Sequence, residues 1–310
     1  MRIAVLGKGG SGKTTIAAAF IKHFSKKKSV LAIDADVNVH LGSLLNIPNG
    51  VAVGHLFREV AQFVKGSRTD VEVKNMVATT PPSIHSRFIT VSKDDPFIQK
   101  YCSTKGPISL LTIGTYEEKD LGHTCYHGKL NTLELIYHHL LDTHDDIVIG
   151  DVTAGIDNLG TSLYFSYDVN VFVVEPTLKS INVYTAFEKI ASKHNIPTYV
   201  VLNKIEKDTD LEFVHKYIPA DKIIGVIPYS SNVKLVEQGN VDAFDSFLKD
   251  IEPELAKIES VVLTHSRNWN AYYETLLETH VKNSVEWWDS YYATSVSKQK
   301  DPEFSYEKVL

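Results

Sequence analysis

The first fifteen residues, MRIAVLGKGGSGKTT, constrain this chain more than any other stretch. The apolar run Ile3-Ala4-Val5-Leu6 leads into Gly7-Lys8-Gly9-Gly10-Ser11-Gly12-Lys13-Thr14-Thr15, and a helix-favouring run from Ile16 to Ile21 follows. This is strand, glycine loop and helix, with the G-x-x-x-x-G-K-[ST] spacing complete from Gly7 to Thr14. Glycines let a backbone turn its N–H groups inward around an anion. The helix N-terminus adds partial positive charge beneath it. Gly9, Gly10, Ser11, Gly12, Lys13, Thr14 and Thr15 therefore read as a phosphate cradle. In that reading Lys13 reaches the β- and γ-phosphates and the Thr14 hydroxyl ligates Mg²⁺. A plain glycine turn would account for the glycines, but not for Lys13 and Thr14 at this spacing directly after a strand.

Further along, apolar strand-like runs alternate with helical stretches, at residues 29–33, 107–114, 145–151, 169–175, 197–203 and 223–227. Such alternation predicts an α/β fold, a mainly parallel twisted sheet wrapped by helices on both faces. Acids at the carboxyl ends of parallel strands lie in the crevice where ligands bind. Asp34 and Asp36 follow the run at 29–33 and Asp151 ends the run at 145–151. Asp151 is read as holding Mg²⁺. The pair Asn203-Lys204 stands at the end of the run at 197–203 and reads as a base-recognition loop.

Lys8, directly after the first glycine, is not needed by an ordinary phosphate loop. With it the motif resembles the deviant Walker A family of SIMIBI-type P-loop ATPases: MinD, ParA, the nitrogenase iron protein and their relatives. The resemblance implies a homodimer sandwiching two ATP molecules, with Lys8 reaching across to the partner's nucleotide. It implies that Asp36 orients or deprotonates the attacking water, and that Asp151 is the switch II aspartate. Proline usually follows the first of these; here it is Val37. ATPase relatives use the asparagine matching Asn203 on adenine, and the family closes over the base where Pro228 and Tyr229 stand. Guanine-specific P-loop proteins continue to N-K-x-D, and here that position is Glu206. ATP is favoured, and a GTPase is the alternative.

The stretch 110–128, with 151–160, Glu175-Pro-Thr177 and 225–229, resembles the CooC-type ATPases, which help insert nickel into carbon monoxide dehydrogenase. Those carry Cys-x-Cys, both cysteines of each subunit gathering a metal at the dimer interface. Here the matching residues are Cys125-Tyr126-His127. A thiolate and an imidazole two residues apart can both point at one ion. A two-fold axis would complete a Cys₂His₂ set suited to Zn²⁺ or Ni²⁺. His123 is a spare candidate, while His138, His139 and His144 read as ordinary surface residues.

Composition narrows the partners. A net charge of −6 argues against nucleic-acid binding through bulk charge. No apolar run reaches the roughly 18 residues of a membrane span. The N-terminus reads as a strand rather than a signal peptide, and two cysteines are too few for a disulfide scaffold. A cytoplasmic location is the expectation. Residues 1–262 read as one P-loop domain. Residues 263–310 read as a helical extension rich in aromatic residues, from Trp269 to Tyr292, packing on the body or on a partner. The last stretch, 298–310, is expected to fray. Residues 50–103 read as an inserted region at a dimer or partner face. The expected function is a homodimeric, Mg²⁺-dependent ATPase that uses slow hydrolysis as a switch to serve a client metalloenzyme. The rival is an ATP-gated localisation or assembly regulator without a metal.

Overall fold

Val, Ile and Leu crowd the strand runs because parallel strands are buried on both faces and need apolar side chains on each. The computed structural model describes every residue except Leu121, His123, Thr124, Cys125, Ile156, Ala293 and Thr294, and the side chains of Lys119, Asp157 and Asn158. The strands are β1 (Arg2–Gly7), β2 (Ser29–Ala35), β3 (Ile89–Thr90), β4 (Ser103–Lys105), β5 (Ile108–Thr112), β6 (Leu140–Leu141), β7 (Asp146–Val152), β8 (Val169–Val174), β9 (Thr198–Ile205) and β10 (Ile223–Pro228). Eight of them form one sheet in the order β10-β9-β8-β1-β7-β2-β5-β4. All neighbours are parallel except β4, an antiparallel edge on β5. The short strands β3 and β6 pair separately.

The helices are α1 (Lys13–Phe24), α2 (Leu41–Leu45), α3 (Phe57–Lys65), α4 (Pro96–Tyr101), α5 (Tyr126–His138), α6 (Leu178–Ala191), α7 (Asp208–His215), α8 (Ser231–Glu237), α9 (Asp242–Asp250), α10 (Glu252–Val262), α11 (Trp269–Asn283) and α12 (Asp289–Tyr292). They cover both faces of the sheet. Alternate residues of β1 separate the two cores: Ile3 and Val5 pack with α1, α9 and α10, while Ala4 and Leu6 pack with α3, α5 and α6. Ala17, Ala18 and Ala19 let α1 lie close on the sheet, and all three are fully buried. The lysines after α1 also reach α10, Lys26 bonding Glu252 at 2.9 Å and Lys27 lying 3.5 Å from Glu259.

Two expectations are overturned at the end of the sheet opposite the glycine loop. Residues 298–310 do not fray. Tyr306 is fully buried, its hydroxyl donates to the His138 carbonyl at 2.6 Å, and its ring lies 4.6 Å from that of Trp269. Phe304 stacks on Phe88. The polar run around these two rings concealed anchors that only a long-range partner could reveal. His138 and His139 are fully buried rather than superficial, because α5 ends beneath α11 and the chain terminus. His138 Nδ1 pairs with the Tyr272 hydroxyl at 2.8 Å and Nε2 with Ser162 Oγ at 3.0 Å. His144 is exposed, as expected.

The start of the chain is clamped into the same region. Arg2 is fully buried, bonds Asp142 at 2.8 Å and lies over the Tyr137, Trp269 and Tyr272 rings. Burial alone would raise the Asp142 carboxyl. Arg2, Arg267 and the terminal ammonium outweigh it and hold the group well below the usual carboxylate range. The inserted region contains α3, which buries Val60, Ala61 and Val64. Much of its remainder docks on the chain's own C-terminal extension: Thr79 on His280, Thr80 on Gln299 and Ser83 on Asp301. Among the described residues no helix is long and apolar enough to cross a membrane.

Candidate functional site

The carboxyl ends of β1, β2, β7, β8, β9 and β10 meet at one edge of the sheet. The loop after β1 turns there on glycines held at φ +82 (Gly10) and +94 (Gly12), which a side chain would strain. Its tight turn is closed by Ser11 N–H donating to Lys8 O at 3.0 Å, and Ile16 N–H to Gly12 O begins α1. A Cβ at Gly12 would sit 2.3 Å from Asn203 Nδ2. That amide already donates to Ser11 O at 2.8 Å. Asn203 thus clamps the loop from β9. It also lines, with Gly9, Gly10, Gly12, Lys13, Thr14, Thr15, Asp36, Lys204, Pro228 and Tyr229, a cleft of about 920 Å³. Apart from the fully buried Ser11, the phosphate-loop and base-side residues singled out in the sequence are therefore brought to one cleft, with Tyr229 half-exposed.

Inside the cleft, Lys13 is buried and its Nζ lies 3.8 Å from Asp36 Oδ2. The other oxygen of Asp36 accepts from Asn38 N at 3.0 Å and Asn38 Nδ2 at 2.8 Å. One oxygen is thus committed to its own loop while the other turns to the lysine. Asp34 accepts from Leu41 N at 2.9 Å and so pins the return of the same loop. Across the sheet, register places Asp34 directly beside Asp151. Asp151 is fully buried, and neither of its oxygens has a partner among the described residues. The Thr14 hydroxyl faces it without completing a hydrogen bond of ordinary geometry. Burial pushes Asp151 up to about 8 and Asp34 up to about 7. Buried carboxylates without partners are costly, and they call for a cation. The donor set at Thr14 and Asp151, hard oxygen ligands in a phosphate cleft, suits Mg²⁺.

Gly155 N–H donates to Gly7 O at 3.0 Å, tying the loop after β7 to the phosphate loop. Tyr126, first residue of α5, donates its hydroxyl to Ala35 O at 3.1 Å, next to Asp36. Cys125 and His123 lie outside the described residues. His127 is exposed in the first turn of α5, with Nε2 beside Gly160. Among the described residues no cluster of three or more metal-ligating side chains occurs.

Lys8 is on the rim, donating to Gly9 O at 2.7 Å and lying 3.5 Å from Glu175. Lys204 donates to Gly10 O and to Glu175, both at 2.7 Å. Sequence reasoning gave no role to Asn38, Tyr126 or Glu175. Of these only Glu175 carried a usable signal, as an acid at the carboxyl end of a central strand.

The family of CobQ/CobB/MinD/ParA nucleotide-binding domains matches residues 3–243. The carbon monoxide dehydrogenase accessory protein CooC of Rhodospirillum rubrum is 28% identical over 248 residues, 79% of this chain and 90% of its own. An uncharacterised ATP-binding protein of Methanocaldococcus jannaschii is 30% identical over 267 residues, 84% of this chain and 98% of its own. Among solved structures, the septum site-determining protein MinD of Pyrococcus horikoshii, complexed with Mg-ADP, superposes with a TM-score of 0.53. It shares 14% identity and covers 84% of this chain and 94% of its own, a likeness of fold.

Proposed function

Because this chain belongs to the CobQ/CobB/MinD/ParA nucleotide-binding family, we propose that it works as a homodimeric, Mg²⁺-dependent switch whose slow ATP hydrolysis serves the maturation of a metal centre in a client enzyme. The chain is a P-loop ATP hydrolase; the dimer, the metal and the client are our reading. The observation that carries it is a buried Asp151 with no hydrogen bond of ordinary geometry among the described residues, close to Lys13 and Asp36, with a second lysine, Lys8, on the rim of the same cleft.

Phosphoryl transfer asks a protein mainly for positioning and for neutralisation of developing charge. Lys13 would meet the β- and γ-phosphates from its own subunit. Lys8 would meet them from the other. Asp36, oriented by Asn38, would hold the attacking water. Mg²⁺ held by Thr14 and Asp151 would supply charge neutralisation on the phosphate oxygens. Asn203 and Lys204, which bond Ser11 O and Gly10 O of the phosphate loop, would contact adenine, and Pro228 and Tyr229 would close over it.

Nickel, or zinc in its place, would be cargo. One Cys125 and one His127 from each of two subunits make a four-ligand set. Tyr126 between them bonds the strand end that leads to Asp36, so the segment bearing the ligands would feel the nucleotide. The similarity to CooC, an accessory protein of carbon monoxide dehydrogenase, supports a client metalloenzyme. We place the protein in the cytoplasm, acting on protein rather than nucleic acid.

The test is light scattering with ATP and Mg²⁺ on the Asp36→Ala variant, alongside metal analysis of untagged protein. Dimers carrying about one ion each, lost in Cys125→Ala, support the reading. A monomer with ATP bound overturns the sandwich, and absence of any ion overturns the cargo. The metal-free regulator has one observation in its favour, the exposed Trp287 and Tyr291 of the C-terminal extension. A client captured only through residues 264–310 by metal-free protein would select it.

A further inference from the structure

In the sandwich proposed above Lys8 would deliver its charge to a second subunit, yet it is already engaged within its own chain. Glu175 stands at the end of β8, the strand beside β1, whose own end carries the glycine loop. Its backbone is fixed: its N–H donates to Ser180 Oγ at 3.0 Å, and its carbonyl accepts from Thr177 N at 2.7 Å. Its carboxylate is mostly buried and stands between two ammonium groups. Oε1 accepts from Lys204 at 2.7 Å, and Oε2 faces Lys8 at 3.5 Å.

The two contacts differ in kind. Lys204 also bonds Gly10 O, and it holds a left-handed backbone, φ 60, that a non-glycine residue adopts only against a cost. Such a conformation persists where the surroundings over-determine it, which marks Lys204 as the anchor of the carboxylate. Lys8 is the looser partner because it stands at longer range from the carboxylate and makes its hydrogen bond to Gly9 O. A part-exposed pair at that distance is worth only a few-fold in an equilibrium constant. That is weak enough for a triphosphate to break.

We propose that Glu175 is a positioning residue for Lys8. It holds the lysine against its own subunit's loop in the nucleotide-free chain and yields it when a triphosphate fills the loop and a second copy closes over it. The second half of this rests on the sandwich reading above; the first half does not. Glu175 thereby sets the threshold for closure, because each protomer must break one such contact before donating its lysine. It also keeps the rim from presenting two uncompensated cations, which would draw stray anions in place of a partner.

The test is Glu175→Gln, which keeps the shape and removes the charge. In nucleotide-free protein, a short acetic anhydride pulse read by mass spectrometry should modify Lys8 several-fold faster than in the wild type, relative to the other lysines. With ATP and Mg²⁺, the dimer dissociation constant should fall by about tenfold, a factor of about three for each protomer's contact. ADP affinity of the monomer should stay within about twofold. The gain should vanish in Glu175→Gln/Lys8→Ala. Unchanged Lys8 labelling overturns the proposal. So does a dimer constant that is unchanged or weaker, and so does a large loss of ADP affinity, which would make Glu175 a brace of the nucleotide loop. A wild type that stays monomeric with ATP sinks the sandwich and the threshold together, while the labelling result still decides whether Glu175 holds Lys8.

Discussion

Replacing Asp151 by asparagine should stabilise the nucleotide-free protein at alkaline pH and weaken its response to Mg-nucleotide. Asp151 is fully buried, its oxygens have no hydrogen-bond partner of ordinary geometry among the described residues, and burial raises it from 3.8 to about 8. In the unfolded chain the carboxyl ionises near 3.8, so between about pH 4 and 8 the unfolded state has lost a proton that the folded state keeps. Stability therefore falls as pH rises through that window, by at most about 1.4 kcal/mol per unit. The full shift would amount to about 6 kcal/mol. Relaxation of the site and its response to charge reduce this to about 3 kcal/mol. An asparagine amide in the same place carries its own burial cost of about 1 kcal/mol. The net gain for Asp151→Asn at pH 8 is about 2 kcal/mol. With an unfolding entropy of about 2 cal/mol/K per residue over a chain of this length, that is about 3 °C in Tm. Asp34 titrates beside it, so the difference belongs to the pair, but Asp34 stays in the variant and largely cancels in the comparison. The assay is calorimetry in EDTA at pH 5 and pH 8, repeated with ADP and Mg²⁺. The gap should nearly close at pH 5, and with Mg-ADP the wild type should become the more stable of the two. A variant that melts below the wild type at pH 8 in EDTA, or a gap indifferent to pH, would refute the account of Asp151 as a buried charge awaiting a cation.

Three further outcomes follow from named contacts. Gly12→Ala should abolish nucleotide binding while the fold survives, because its Cβ would meet Asn203 Nδ2 at 2.3 Å on a φ +94 backbone; retained ADP affinity in a titration would show the clamp to be dispensable. Tyr306→Phe removes the buried bond to His138 O and should cost about 1–2 kcal/mol, roughly 2 °C in Tm, with ATPase activity intact; an unchanged Tm would mean that the terminus is not anchored there. Burial holds His139 down at about 3 and His280 at about 4, and His138 well below 6.5. Their contribution to stability is full above about pH 6.5 and drains away as pH falls toward those values, the opposite sense to Asp151; NMR signals of the three imidazoles that move between pH 7 and 5 would contradict neutral burial.

The sequence by itself determined the sheet's central strands, the glycine loop and the class of ligand. These depend on local spacing: apolar runs of strand length, glycines where the backbone must turn, and a lysine and a threonine at fixed offsets from them. Asp36 and Asp151 were legible for the same reason, since a strand-terminal acid in a parallel sheet has one place to point. The tertiary structure decided what depends on distant partners. Tyr306 looked like part of a fraying tail because its partners, Trp269 and the His138 carbonyl, are 37 and 168 residues away. His138 and His139 looked superficial because nothing in α5 announces that α11 will cover its end. Glu175 stood in view as an ordinary strand-terminal acid. Only folding brings it between Lys8 and Lys204, because β8 is inserted between β1 and β9 at separations in sequence that local pattern does not encode. Periodicity and motif record what a residue meets within a turn or two of its own chain; charge pairing and burial across the sheet are set by which strands become neighbours.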